Sequence, residues 1–148
     1  MIEFRLSIDS RISRAVAPLI IKCFADCGKK PSPAFPYQDE LDPELSDAWE
    51  NSLKDDLARD RQSLARLLNL TKFAHGYIEV DEGEAEYILR AITEVRLHIR
   101  ESKLDSFSDS ELESGKFTLS AKSQIAQSHY LAYLVLAEIQ EGLISELV

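Results

Sequence analysis

The chain has 148 residues and a net charge of −9, because 26 acidic residues outnumber 17 basic ones. This length suits a single helical domain over residues 1–148. The low count of 5 glycines argues against folds rich in tight turns or phosphate loops. The acidic balance argues against nonspecific binding to nucleic acid. Apolar stretches are too short for a membrane span, and no signal peptide is recognisable, so we expect a cytoplasmic protein with reduced thiols.

The first predicted elements are a strand and a helix. Apolar and polar side chains alternate over residues 2–8, which is the period of a half-buried strand. Apolar residues then recur at helical spacing over residues 12–27, and either Asp9 or Ser10 suits the N-cap. Pro18 removes one helical hydrogen bond, so we expect this helix to be kinked or restarted there.

Charge is distributed unevenly along the chain. Residues 1–30 carry six basic and three acidic residues, whereas acidic residues crowd between Asp39 and Asp60. We expect the two regions to face each other within the fold or across a dimer. The alternatives are a basic docking surface for an acidic partner protein, or a DNA-binding regulator that uses the basic N-terminal helix.

A connector and one or two helices are predicted next. The proline-rich residues 29–39 indicate an extended connector, and Asp42 followed by Pro43 is a typical helix start. Two apolar stripes follow, and their phase shifts near residues 54–56, so we favour two helices over one long helix. The stripes are Leu41, Leu45, Trp49 and Leu53, and then Leu57, Leu64, Leu67 and Leu68.

The sequence predicts a second short strand over residues 77–80, after the helix that ends at His75. Because an isolated strand is not stable, we expect it to pair with residues 2–8. We expect Asp81 to cap the following helix, with Glu84 as its capping-box partner. The core face of that helix has clean helical spacing: Ala85, Ile88, Leu89, Ile92, Val95 and Ile99.

The last third of the chain predicts a loop and a long helix. Residues 103–116 are rich in serine and acidic residues and indicate a solvated loop, tethered by Phe107 and Leu112. The final helix begins at Thr118 or Ser120. Its apolar stripe is broad, which is typical of a central helix in a bundle or of an oligomer interface.

No local motif for catalysis, a cofactor or a metal is present. Cys23 and Cys27 share a helix face, but no further ligands stand at metal-site spacing, which favours two small core residues. None of the histidines follows a glutamate by three residues, as di-metal bundles require. The alternative function is an enzyme or metal-binding bundle whose fold assembles Glu84 and Arg96 with His75, His98 and His129.

The segment from Val80 to Leu97 joins an acidic helix start to a Leu-Arg-Ala step and an Arg-Leu pair. In this pattern the chain resembles a bacterial family of unknown function, often encoded near the adaptor of the Clp protease, over residues 40–148. It departs from the family at Ile99-Arg100-Glu101, where the family tends to have a glycine and a second arginine before a leucine. The resemblance implies no activity, cofactor or catalytic residue, only a regulatory or proteolysis-linked setting.

Together these patterns predict a mostly α fold, a bundle of about five helices with a two-stranded element formed by residues 2–8 and 77–80. The leading hypothesis is a non-catalytic interaction or regulatory module whose partner is another protein, or a second copy bound through the C-terminal helix. Core packing is the alternative for the two aromatic candidates, and we expect Arg96 to be partly buried against acidic residues near Asp47. The candidate interaction residues are Trp49, Arg90, Arg96, Arg100 and Tyr130.

Overall fold

The structure is a computed structural model that describes residues 1–27 and 43–147. The proline-rich connector, Leu41 and the Asp42 cap lie outside this described part. The elements are, in chain order, β1 (Ile2–Arg5), α1 (Ser10–Asp26), α2 (Pro43–Leu68), α3 (Thr71–Ala74), β2 (Tyr77–Val80), α4 (Glu82–Ser102), α5 (Asp109–Ser114) and α6 (Gln124–Leu147). The mostly α fold with a small two-stranded sheet is confirmed.

The two strands pair antiparallel, with Ile2 opposite Val80 and Arg5 opposite Tyr77. The pairing predicted from sequence is therefore confirmed. The first strand is shorter than residues 2–8, because the chain turns after Arg5 to start α1. Asp9 is the N-cap of that helix, and its carboxylate accepts a hydrogen bond from the next-but-one backbone N–H at 2.8 Å.

Helix α1 runs without interruption through Pro18, so the expected restart there is wrong. The proline side chain lies on the exposed face of the helix, where the missing N–H costs one hydrogen bond and the ring displaces no core residue. The opposite face holds the helix in place with buried residues at helical spacing, namely Ser13, Val16, Ala17, Ile20 and Cys23.

Helix α2 is one long helix from Pro43 to Leu68, so the preferred break near residues 54–56 is wrong. No glycine or proline interrupts this segment, and the backbone has no reason to leave the helix. The apparent phase shift has another origin: burial by the rest of the fold begins at Asp60, and the described side chains before it are exposed or half-exposed. The short α3 follows, with His75 as its C-cap.

Helix α4 has the predicted Asp81 cap, whose carboxylate accepts the Gly83 N–H at 3.0 Å. The predicted capping box is wrong, because the Glu84 carboxylate instead accepts a hydrogen bond from Arg66 on α2 at 3.4 Å. The core face is confirmed: Ala85, Ile88, Ile92, Val95 and Ile99 are buried, and Leu89 packs against them.

Residues 103–116 are more ordered than the predicted loop, because they contain α5. Ser108 and Glu111 form a capping box at its start, and Gly115 ends it with a φ of 68°. Phe107 is buried and Leu112 packs against the core, so both predicted tethers are confirmed. Since serine and glutamate were assigned to solvent, their role as reciprocal helix caps was overlooked.

The last helix begins later than predicted. Thr118 precedes a 3₁₀ turn at Leu119–Ala121, and α6 starts at Gln124. The hydroxyl of Ser123 accepts the Ala126 N–H at 3.1 Å, which satisfies a donor of the first helical turn.

Helix α6 lies at the centre of the fold, packed against both α1 and α4, while α2 packs on α4. The buried cluster takes side chains from both strands and from every helix except α5. Within the described residues, no helix is long and apolar enough to cross a membrane.

Candidate interaction surfaces

Arg90 is part of an ion-pair network between α2 and α4. Its Nε and Nη2 donate to the two carboxylate oxygens of Asp60 at 3.0 and 2.9 Å. The Asp60 side chain is only 7% exposed, so the arginine supplies its countercharge inside the helix interface. This hydrogen bond raises the pKa of Arg90 above its ordinary value. Nearby, Arg61 donates to Glu94 at 2.7 Å, and together these pairs hold α2 against α4.

Arg100 and Tyr130 fix the region around α5. The Nη1 of Arg100 donates to the Leu104 carbonyl at 3.1 Å, and its Nη2 bonds the Asp109 carboxylate. Tyr130 is 8% exposed and lies among aromatic rings. Its ring stacks on Phe107 with centroids 5.2 Å apart and meets a second phenylalanine edge-on. Core packing thus accounts for Tyr130.

Arg96 faces α6. Its guanidinium lies over the Tyr133 ring, 4.3 Å from the centroid, and Nη1 donates to the Gln140 side-chain oxygen at 2.7 Å. The expected placement against Asp47 is wrong, because Asp47 is an exposed residue near the start of α2 and Arg96 projects from α4 towards α6. The Nε of Arg96 is buried and has no hydrogen-bond partner.

Trp49 belongs to an exposed stripe on the N-terminal half of α2. The Trp49 side chain is 43% exposed, and Leu53 and Leu57, each one turn further along, are half-exposed. Residues four apart share a helix face, so these three form one apolar surface, which we call the α2 stripe. Asp55 and Asp56 beside it are exposed. The stripe lies on the same face of α2 as the buried Leu64 and its neighbours, but beyond the end of the core.

The C-terminal helix uses most of its apolar stripe inside the fold. Eight of its residues are buried, among them Val135, Leu136 and Ile139. The large apolar side chains that α6 leaves exposed are Ile125, Ile144 and Leu147, at 62%, 46% and 51%. The surface open to a second copy is therefore smaller than the sequence pattern indicates.

The groups of the alternative, catalytic hypothesis are spread along α4, on α6 and at the end of α3. Glu84 and Arg96 are twelve residues apart on α4, which separates their backbones by about 18 Å. The buried His129 lies on α6, where its Nδ1 is 2.8 Å from the Ile125 carbonyl oxygen. Over the described ranges, no three histidine, cysteine or acidic side chains form a group that would hold a metal ion.

The two cysteines sit where burial suppresses their reactivity. Cys23 is buried and Cys27 half-buried, and both are free thiols. Burial raises the pKa of Cys23, and burial together with the Glu94 carboxylate raises the pKa of Cys27 to about 11. Since the thiolate is the reactive form, both thiols are poor nucleophiles at neutral pH. Cys23 is a core residue, as predicted, whereas Cys27 is half-buried at the C-cap of α1 and lies outside the core.

Three residues that build these sites were missed in the sequence: Asp60, Tyr133 and Gln140. Asp60 had a usable signal, because it stands four and seven residues before Leu64 and Leu67 and so lies on the core face of α2. An acidic residue on that face requires a cation from a neighbouring element. Tyr133 and Gln140 carry no such local signal, since their role depends on which face α6 turns towards α4.

A mostly α fold in which α4 and α6 pack against each other and against α2 and α1, with a small two-stranded sheet, is the class of protein that this geometry defines. The chain belongs to the DUF2017 family, a domain of unknown function, which matches residues 32–147. Strand β1 and helix α1 lie outside the matched residues, although their side chains belong to the same buried cluster. No curated protein and no solved structure matches the chain.

Proposed function

We propose that this chain is a non-catalytic protein-interaction module and that the α2 stripe is its docking surface. The single observation that carries the proposal is the half-exposed Trp49, held on a helix face that is buried further along the same helix. Tryptophan is enriched among the residues that dominate binding energy at protein interfaces. An apolar helix face that no other described element packs against is of the kind that partner proteins often bind through their own apolar surface.

Charge selects the partner. Asp47, Asp55 and Asp56 are exposed on the same half of α2, and the whole chain carries −9. A second copy bound through the same stripe would bring these carboxylates together, which is unfavourable. The partner is therefore a protein segment with an apolar side and basic residues along its flanks.

A synthetic helical peptide with leucines on one side and lysines on both flanks tests this surface. Fluorescence anisotropy gives its Kd for the wild-type chain and for Trp49→Ser, in which we expect binding to be at least about tenfold weaker. Ile125→Ser is the matched control, because Ile125 is 62% exposed on α6 and lies outside the stripe. Equal weakening in both variants, or equal binding of a peptide with glutamates in place of lysines, contradicts the proposal.

The natural partner is reached by site-specific photo-cross-linking in the cells that produce the chain. A photoreactive residue at position 53 lies in the stripe, and one at position 125, which is exposed on α6, is the control. We expect adducts specific to position 53 whose cross-linked peptide is apolar with basic flanks. Adducts common to both positions, or cross-linked peptides that are acidic, count against the proposal.

A homodimer through α6 is a second arrangement, supported by the exposure of Ile144 and Leu147, which lie one turn apart near the end of that helix. Light scattering at high micromolar concentration measures the mass directly. A dimer that Ile144→Glu dissociates supports this arrangement, and a monomer at that concentration removes it without affecting the α2 stripe.

The resemblance to a bacterial family often encoded near the Clp protease adaptor supports a cytoplasmic, regulatory setting. A degradation assay with the Clp protease, its adaptor and a model substrate tests this link. A change in degradation rate that depends on Trp49 supports it. An unchanged rate with saturating chain argues against it.

A further inference from the structure

Arg96 is a half-buried cation held by neutral groups. Its guanidinium lies over Tyr133, and its Nη1 donates to Gln140. The Gln140 amide is itself oriented, because its Nε2 donates to the Thr93 hydroxyl at 3.3 Å. The ring and the amide partly offset the cost of removing the guanidinium from water. Neither of them neutralises its charge.

Neighbouring arginines are treated differently. Arg61, Arg90 and Arg100 each meet a carboxylate of the chain, on Glu94, Asp60 and Asp109. Across the part of the chain that the structure describes, no ion pair reaches Arg96. Carboxylates are not scarce in a chain with 26 acidic residues. Tyr133 and Gln140 therefore orient this guanidinium, and none of the described residues supplies its countercharge.

An open groove of about 220 Å³ lies beside the guanidinium, between α4 and α6. Arg96 and Gln140 contribute polar groups to its lining, and Leu97, which is 56% exposed, contributes apolar surface. This volume is below that of typical cofactor and drug sites, but it admits a carboxyl group on a short aliphatic chain. The residues that line it are Thr93, Arg96, Leu97, Arg100, Tyr133 and Gln140.

We propose that this groove is a binding site for a carboxylate, with Arg96 as the residue that binds it. The planar guanidinium matches the geometry of a carboxylate and donates charge-assisted hydrogen bonds to it. The second arginine of the lining, Arg100, is already paired with Asp109, so one guanidinium is left for a ligand, which in an acidic protein suits a monoanion better than the more highly charged phosphate group. The aliphatic part of the ligand packs on Leu97. The site faces α6 and shares no residue with the α2 stripe.

NMR titration of the full chain, whose mass of 16.7 kDa suits the method, tests the site. The probes are propionate as a free acid, N-acetylglutamate amide as a side-chain carboxylate and N-acetylalanine as a chain terminus, each against sodium chloride at equal ionic strength. We expect saturable shifts of the Arg96 Nε–Hε signal and of Thr93, absent with chloride. The tightest of the three probes identifies the source of the carboxylate, and inorganic phosphate binding more tightly than all of them overturns the assignment.

Variants separate binding from a purely structural role. Arg96→Met keeps the aliphatic stem and removes the charge, and we expect the Kd of the carboxylate to rise about tenfold or more. Arg59→Met is the matched control, because Arg59 also lies over a tyrosine ring, at 5.5 Å from the centroid, but outside the groove. We expect it to bind as the wild type does. If Arg96→Met does not fold, the wild-type titration decides alone: shifts that do not saturate, or that chloride reproduces, overturn the proposal.

Discussion

Replacement of Arg90 by methionine should destabilise the fold through the carboxylate that it leaves behind. Asp60 would lose its bidentate partner in an interface where its side chain is only 7% exposed. Removal of one partner of a buried ion pair costs about 3 to 5 kcal/mol. Because the Arg90 side chain is 44% exposed, water reaches the site and we expect about 2 to 3 kcal/mol. For a chain of this size, that lowers Tm by roughly 4 to 12 °C.

Urea unfolding followed by far-UV circular dichroism measures this loss. The double variant Asp60→Leu with Arg90→Met should recover most of it, because the unpaired charge is then gone and apolar side chains fill the space. Arg59→Met, at an exposed position on α2, is the control and should change stability by less than about 0.5 kcal/mol. A loss below that value for Arg90→Met, or a double variant no more stable than the single one, refutes the reasoning.

Two further outcomes follow from packing and burial. Gly142→Ala on α6 should lower stability by about 1 to 3 kcal/mol in thermal unfolding, because its added methyl group would overlap the Phe4 ring. A Phe4→Ala change in the same chain should relieve the overlap. Gly83→Ala serves as the control, because a methyl group there would make only ordinary contacts. Cys23 and Cys27 should react slowly with a thiol reagent at neutral pH and faster towards pH 11, since burial raises both pKa values. Rapid labelling of the native chain at neutral pH contradicts this.

Periodicity predicted the elements of the fold because local side-chain spacing reports which face is buried. The core face from Ala85 to Ile99 is confirmed, and so is the pairing of the first strand with residues 77–80, although that strand ends at Arg5 rather than at residue 8. Errors arose where the tertiary fold decides. The apparent phase shift in the apolar residues of α2 arises because the rest of the fold packs on this helix only from Asp60 onwards. The local sequence pattern does not show where that packing begins.

The candidate residues show the same division. An arginine on a helix surface is equally consistent with a partner protein and with a neighbouring helix, and sequence alone does not choose between them. Arg90 and Arg100 pair with carboxylates of the chain itself, and Tyr130 completes an aromatic cluster. Arg96 and Trp49 differ, because among the described residues no carboxylate pairs with Arg96 and no element buries Trp49, and both properties depend on how α4, α6 and α2 are placed.

The contact between Phe4 and the backbone of Gly142 joins residues that are far apart in the sequence, and it has a consequence for synthesis. Because β1 precedes α6 in the chain, it leaves the ribosome earlier and is fully covered only once α6 has been made. At typical rates of synthesis, that delay is on the order of ten seconds. Throughout this interval the apolar side chains of Ile2, Phe4 and Leu6 have no α6 to pack against. The nascent chain therefore offers chaperones an apolar strand for the length of that delay.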